Sequence, residues 1–121
     1  MTDGNALDGI VVLDLTRVLA GPLCAQMLGD MGADVIKVEH PARGDDTRHW
    51  GPPFADTEAA YFLGVNRNKR SLALDFKSQA GLDVLKKLII KSDIVIDNFK
   101  PGLLDKLGLN SEWFEQQAAS V

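Results

Sequence analysis

Cysteine is nearly absent from this chain: among 121 residues only Cys24 carries a thiol. A single cysteine cannot close an internal disulfide, so stability must come from a buried core, and such usage fits a reducing compartment. No apolar run is long enough to span a bilayer. The stretch Met1–Leu7 contains an acid and no basic apolar segment, and does not read as a signal peptide. A cytoplasmic location without a membrane partner is therefore expected. No G-x-G-x-x-G follows the first apolar run and no Walker lysine occurs, which argues against a dinucleotide fingerprint or a P-loop. His40 and His49 lack metal-ligand spacing to any Cys, Asp or Glu, so no metal is expected. Positive charge is in deficit, with 13 Lys and Arg against 17 Asp and Glu and a formal net charge of −4. That balance argues against a nucleic-acid partner. Apolar residues make up 45% and charged residues 25%, an ordinary globular mixture. A chain of this length can bury roughly two-thirds of its unfolded surface in one domain.

What the chain does contain is an alternation of strands and helices. Ile10–Asp14 and Ala33–Glu39 are apolar runs ending in an acid, as expected of strands buried on both faces of a parallel sheet. Between them, Pro22 suits the first turn of a helix. Leu23, Met27 and Met31 recur at helical spacing and predict its buried stripe, and Gly32 is its expected stop. His40–Glu58 is polar and too long for an ordinary connection, which marks it as functional or mobile. Ala59–Val65 reads as a helical turn or a strand, Asn66–Arg70 as a basic patch, and Ser71–Asp75 as a strand. Ser78 can cap a helix in which Leu82, Leu85, Leu88 and Ile89 share a face. Ile94–Ile96 is a further strand, Asp97–Gly102 its exit loop, and short helices follow near Leu103–Leu107 and Ser111–Gln117. The rhythm predicts an α/β fold: a Rossmann-like parallel sheet with flanking helices and right-handed crossovers.

Ligands of open α/β sheets bind beyond the carboxyl ends of the strands. Thr16–Gly21, His40–Arg48, Asp75–Lys77 and Asn98–Lys106 meet that criterion and supply Arg17, His40, Arg43, Arg48, Lys77, Lys100 and Lys106. A cationic rim on a net-negative chain fits a phosphate-bearing ligand, although loops are also simply where charges are solvated. Asn66–Arg70 is either a further anion contact or a solvated turn. Cys24 lies near a helix N-terminus, where a thiolate would be stabilised, but its place in an apolar stripe favours packing. Asp14, Glu39 and Asp97 end three strands; each could be a general base, and acceptance of a local hydrogen bond is the commoner role. Trp50 and Phe54 flank Pro52-Pro53 and either cover a ligand or pin the long loop.

Several blocks in order resemble the amino-terminal part of family III CoA-transferases, the group of formyl-CoA transferase and carnitine CoA-transferase. They are Leu7–Asp14, Ala20-Gly21-Pro22, Leu28–Glu39, Gly44-Asp45-Asp46-Thr47-Arg48, Trp50–Phe54, Asn66–Ser71 and Asn98-Phe99-Lys100-Pro101-Gly102. The wording of Thr16–Pro22 and Gly44–Arg48 is most similar to the dicarboxylate-using branch. The resemblance implies that residues 1–121 form an amino-terminal CoA-binding domain, incomplete relative to the family, within a larger CoA-transferase fold. It implies that Val18, Leu19 and Ala20 line the thioester end. His40 stands where several relatives have arginine, which makes that contact pH-sensitive. The resemblance further implies that Leu74, Asp75 and Lys77 border adenine and phosphates, that Asn98 and Phe99 hold the pantetheine side with Lys100 a further CoA-binding candidate, and that Lys106 replaces an arginine, keeping charge without bidentate geometry.

The family chemistry uses an aspartate that attacks the acyl-CoA thioester, giving first a mixed anhydride and then an enzyme thioester. No aspartate here matches that position, so no catalytic residue is assigned to this chain and the chain alone is expected to be inactive. Acyl-CoA and a carboxylic acid are the implied substrates, with no prosthetic group, and the family forms homodimers. The ending Gln116–Val121 departs from the family pattern and reads as a truncation. A corresponding part of an α-methylacyl-CoA racemase, and a non-catalytic CoA-binding module, are the alternatives.

Overall fold

The computed structural model of the chain describes residues 4–121. Four strands form one parallel sheet: β1 (Val11–Asp14), β2 (Asp34–Glu39), β5 (Lys69–Ala73) and β6 (Ile94–Ile96), in the order β5-β2-β1-β6. Val12 lies opposite Val35 on one side and Ile94 on the other, so β1 is central. From β1 the chain steps outward to β2 and β5, then returns to β6 on the far side of β1. The order therefore reverses between β1 and β6, the position where such sheets open a ligand crevice.

One face of the sheet is apolar except for the exposed Asp34–Arg70 pair. Leu13, Leu15 and Val38 pack there against Leu85 and Ile89 of α3 (Gln79–Lys91) and against Leu109 and Ala118. Ser78 caps α3, its Oγ accepting from Gly81 N at 3.1 Å, and the sequence stripe Leu82, Leu85, Leu88, Ile89 is the face that packs. The short helices α4 (Leu103–Lys106) and α5 (Ser111–Gln117) close this side, and Asn110 caps α5 through Trp113 N at 2.9 Å.

The opposite face changes character along the strands. At its amino end Val12, Ala33 and Val35 meet Ala25 of α1 (Ala20–Asp30). Further along, the alternation of side chains brings Asp14, Lys37, Glu39, Lys69 and Ser71 onto the same face. Residues 40–68 cover them. That long segment is folded: a 3-10 turn at Asp46–His49, a ribbon of β3 (Phe54–Ala55) and β4 (Glu58–Ala59), and the short helix α2 (Ala60–Gly64). Ala59–Val65 thus supplies both the end of a strand and a helix. The strand expected at Ser71–Asp75 begins earlier, at Lys69, because Lys69 and Arg70 pair in register with Val35 and Ile36.

The stripe predicted for α1 is inverted. Leu23, Met27 and Met31 face outward, and Pro22, Ala25 and Gln26 are buried instead. Cys24, expected to pack, is exposed. Small residues let the helix approach closely. A Cβ on Gly21 would collide with the Thr16 side chain, and one on Gly29 would lie 3.1 Å from the Asn68 carbonyl oxygen. Gly32 ends the helix in the left-handed region, at φ 104°. Met27→Gln is accordingly expected to shift stability by less than about 0.5 kcal/mol in urea unfolding; a loss of several kcal/mol would place Met27 in a core.

Candidate functional site

The loops at the carboxyl ends of the strands enclose a cleft of about 160 Å³. Leu15, Thr16 and Arg17 follow β1, the end of β2 and its loop contribute Lys37 to Asp45, Leu74–Lys77 follow β5, and Phe99 and Leu103 follow β6. Leu74, Phe76, Phe99 and Leu103 give it an apolar side, with Phe76 and Phe99 ring centroids 5.7 Å apart. Arg17, Arg43 and Lys77 give it a cationic rim with His40 beside them, all four exposed. Arg17 lies 3.7 Å from Asp46, a loose pair, and Arg43 and Lys77 form no ion pair among the described residues. His40 Nδ1 accepts from Ala42 N at 3.1 Å, so the neutral ring carries its proton on Nε2, free to donate.

Behind the rim, two lysines with buried side chains and Arg48 meet three carboxylates. Lys37 Nζ donates to the Thr16 carbonyl at 3.0 Å and lies 2.9 Å from Asp45 Oδ2. Asp45 Oδ1 accepts from the Thr47 amide and hydroxyl at 3.0 and 2.9 Å. Lys69 Nζ donates to Asp14 Oδ2, the Pro22 carbonyl and Asn66 Oδ1, at 2.9, 2.8 and 2.9 Å. Asp14 Oδ1 accepts from both the amide and the hydroxyl of Thr16. Glu39 accepts from Arg48 at 3.0 and 2.8 Å, from Ser71 Oγ at 2.6 Å and from Asp45 N at 3.3 Å. Arg48 also pairs with Glu58 at 2.9 Å and stacks over Phe62, 3.8 Å from the ring centroid.

Burial alone would raise the pKa of Glu39 and Asp45. For Glu39 the hydrogen bonds from Arg48 and Ser71 win, and for Asp45 those from Lys37 and Thr47 do; both carboxyls are held below the usual range. Burial pushes the Lys69 ammonium down, against the pull of Asp14. Groups with depressed carboxylate pKa values contribute stability above the ordinary carboxylate range and lose it as pH falls through the folded value. The urea midpoint should therefore hold between about pH 7 and 5 and fall below about pH 4. Asp45→Asn should flatten that fall.

This geometry sorts the residues singled out from sequence. His40, Leu74, Asp75, Lys77 and Phe99 come together around the cleft. Val18, Leu19 and Ala20 lie in the β1–α1 loop and the first turn of α1 and do not line it. Asn98 instead clamps Arg17, its Oδ1 accepting from Arg17 N at 3.1 Å and its Nδ2 donating to Arg17 O at 2.7 Å. Lys100 lines a second, shallower cleft with Phe99 and Phe114. Lys106 is exposed on α4 and lines neither. Arg48, expected as a rim cation, is a correction: Glu39 and Glu58 engage its guanidinium.

The basic patch Asn66–Arg70 is in part the solvated turn before a strand: Arg67 and Asn68 form an exposed turn leading into β5, while the Lys69 side chain is buried. Arg67 pairs with Asp30, Lys69 with Asp14 and Arg70 with Asp34, and the Arg67 hydrogen bond lowers Asp30. Asp14 and Glu39 serve as acceptors, as does Asp97, which receives Phe99 N at 3.2 Å. Trp50 packs edge-on against Tyr61, centroids 5.4 Å apart, and neither Trp50 nor Phe54 lines the cleft. Sequence reasoning missed Lys37, Asp45 and Lys69. The available signal was charge inside strands covered on both faces, where an unpaired ion is too costly to persist.

The model of CoA-transferase family III matches residues 7–118. A succinyl-CoA:glutarate CoA-transferase from Mus musculus is 50% identical over 95% of this chain, which spans 26% of that protein. A formyl-CoA:oxalate CoA-transferase from Escherichia coli is 47% identical over 91% of the chain, again spanning 26% of its length. Among solved structures, a CAIB/BAIF family protein from Brucella suis superposes with a TM-score of 0.87 at 50% identity. That match covers 93% of this chain and 31% of the other. A hypothetical protein from Mycobacterium tuberculosis gives a TM-score of 0.86 at 36% identity, covering 98% of this chain and 31% of its own.

Proposed function

The chain belongs to CoA-transferase family III, and from that premise we propose that it is the CoA-binding portion of an enzyme that moves CoA between an acyl-CoA thioester and a carboxylic acid. One observation carries this reading: a cleft with an apolar side and a cationic rim at the sheet's order reversal, in which the buried carboxylates Glu39 and Asp45 are engaged by hydrogen bonds. At about 160 Å³ the cleft accepts a segment of CoA rather than the whole. The rim cations Arg17, Arg43 and Lys77 meet phosphate oxygens through charge-assisted hydrogen bonds, His40 donates from Nε2, and Leu74, Phe76 and Phe99 take up adenine or pantetheine. Val18, Leu19, Ala20, Asn98, Lys100 and Lys106 continue the path along the loops beyond the cleft.

The chemistry asks for a carboxylate nucleophile, and none is assigned to this chain. The nucleophile is an aspartate outside this chain. Its oxygen attacks the thioester carbonyl and CoA thiolate leaves, giving a mixed anhydride. The thiolate attacks the aspartyl carbonyl and releases the donor acid, giving an enzyme thioester. The acceptor carboxylate then displaces the thiolate to form a second anhydride. Attack of the thiolate on the acceptor's carbonyl frees the aspartate and yields the new acyl-CoA. CoA is substrate throughout and no prosthetic group takes part. The relatives' names point to short dicarboxylates as the acids, and the family resemblance to a cytoplasmic homodimer.

Titration calorimetry tests the cleft. CoA should bind with an affinity that falls as salt rises, and Lys77→Ala should weaken it about three- to tenfold. A folded sample that binds no CoA, or binds it independently of salt, overturns the assignment. Turnover of succinyl-CoA by these 121 residues alone overturns the placement of the nucleophile.

A further inference from the structure

Resting on the reading that the cleft receives part of CoA, we propose that Lys37 is a positioning residue: its buried ammonium ties the Thr16 carbonyl to the Asp45 carboxylate and holds the β1–α1 loop in its working shape before any ligand arrives. Lys37 is 1% exposed. Its Nζ reaches Thr16 O at 3.0 Å and Asp45 Oδ2 at 2.9 Å, and these two residues stand on different loops of the same cleft. The ammonium is thus a tie between two walls.

The loop it holds does not relax on its own. Val18 sits at φ 77°, in the left-handed region, where a β-branched residue is strained. Such conformations persist only where the surroundings over-determine them, and they gather at functional positions. Here the two preceding residues are fixed from three strands. Asp14 at the end of β1 grips Thr16 by its amide and hydroxyl, Lys37 of β2 grips the Thr16 carbonyl, and Asn98 after β6 brackets Arg17 with two hydrogen bonds. Removing the ammonium takes one tie away and leaves Asp45 buried without its counter-charge. Val18 can then release its strain, and the loop must be ordered again on binding. Since a preformed site saves that ordering cost, loss of Lys37 weakens binding although every rim cation is intact.

Hydrogen exchange and CoA titration of Lys37→Met against the parent protein test this. The expected result is amide exchange at least tenfold faster across residues 16–20, with β2 and α3 at parent rates. CoA affinity should drop about tenfold with an unchanged salt dependence. If Lys37→Met does not fold, Asp45→Asn, which keeps an acceptor for Thr47, takes its place with the same expectation. Unchanged loop exchange, exchange raised equally through the sheet, or parental CoA affinity in a folded variant overturns the proposal. If the parent protein itself binds no CoA, the functional assignment fails, while faster exchange confined to the loop still upholds the positioning role.

Discussion

Lys69→Met is expected to lower the free energy of unfolding by about 3–5 kcal/mol, measured from urea midpoints at pH 7. The ammonium has three partners, and removing it strands Asp14, whose side chain is 0% exposed. The loss therefore comes less from the attraction itself than from a carboxylate left in a dry site without compensation. A cycle separates the two. Asp14→Asn keeps an oxygen for the Thr16 amide and hydroxyl and removes the charge. The double variant Asp14→Asn, Lys69→Met should recover more than half of the deficit. Equal losses in the single and double variants would mean that Lys69 matters through packing alone.

Arg48→Met is the second large effect, about 2–3 kcal/mol, smaller because water reaches part of the guanidinium. Its expected signature is local. Arg48 joins the end of β2, through Glu39, to the covering segment, through Glu58 and Phe62. Without it, residues 40–66 should open before the sheet does. Limited proteolysis should cut there first, while exchange in β1 and α3 remains slow. Glu39 would also lose its principal hydrogen-bond donor, so the acid midpoint of the variant should move up in pH. Uniform destabilisation with no preferred cleavage would show that the covering segment is held by its apolar contacts.

These two residues also mark where sequence reading stops. The parallel sheet was legible because Ile10–Asp14 and Ala33–Glu39 are apolar runs of strand length, and the α3 face because Leu85 and Ile89 repeat at helical spacing. The cleft was legible by position, since His40, Lys77 and Phe99 each follow a strand. The orientation of α1 was not. Periodicity locates an apolar stripe, but burial followed the small residues Ala25 and Gly29, which allow close approach to the sheet. The ionic layer was not legible either. In a single sequence Lys37, Lys69 and Arg48 look like solvated charge, and only the sheet order that brings Lys69 of β5 to Asp14 of β1, with the folding of residues 40–58 back over Lys37 and Glu39, reveals their partners. Side chains distant in sequence meet by topology, which composition and spacing do not encode.

The outward stripe of α1 has a chemical consequence. Met27 and Met31 are exposed residues, at 57% and 43%, so an oxidant approaches both side chains without the fold opening. Sulfoxidation there adds a polar oxygen to surface rather than core. The helix can therefore absorb oxidative wear that would unravel a protein whose methionines lay inside, at the cost of altering whatever adheres to that face.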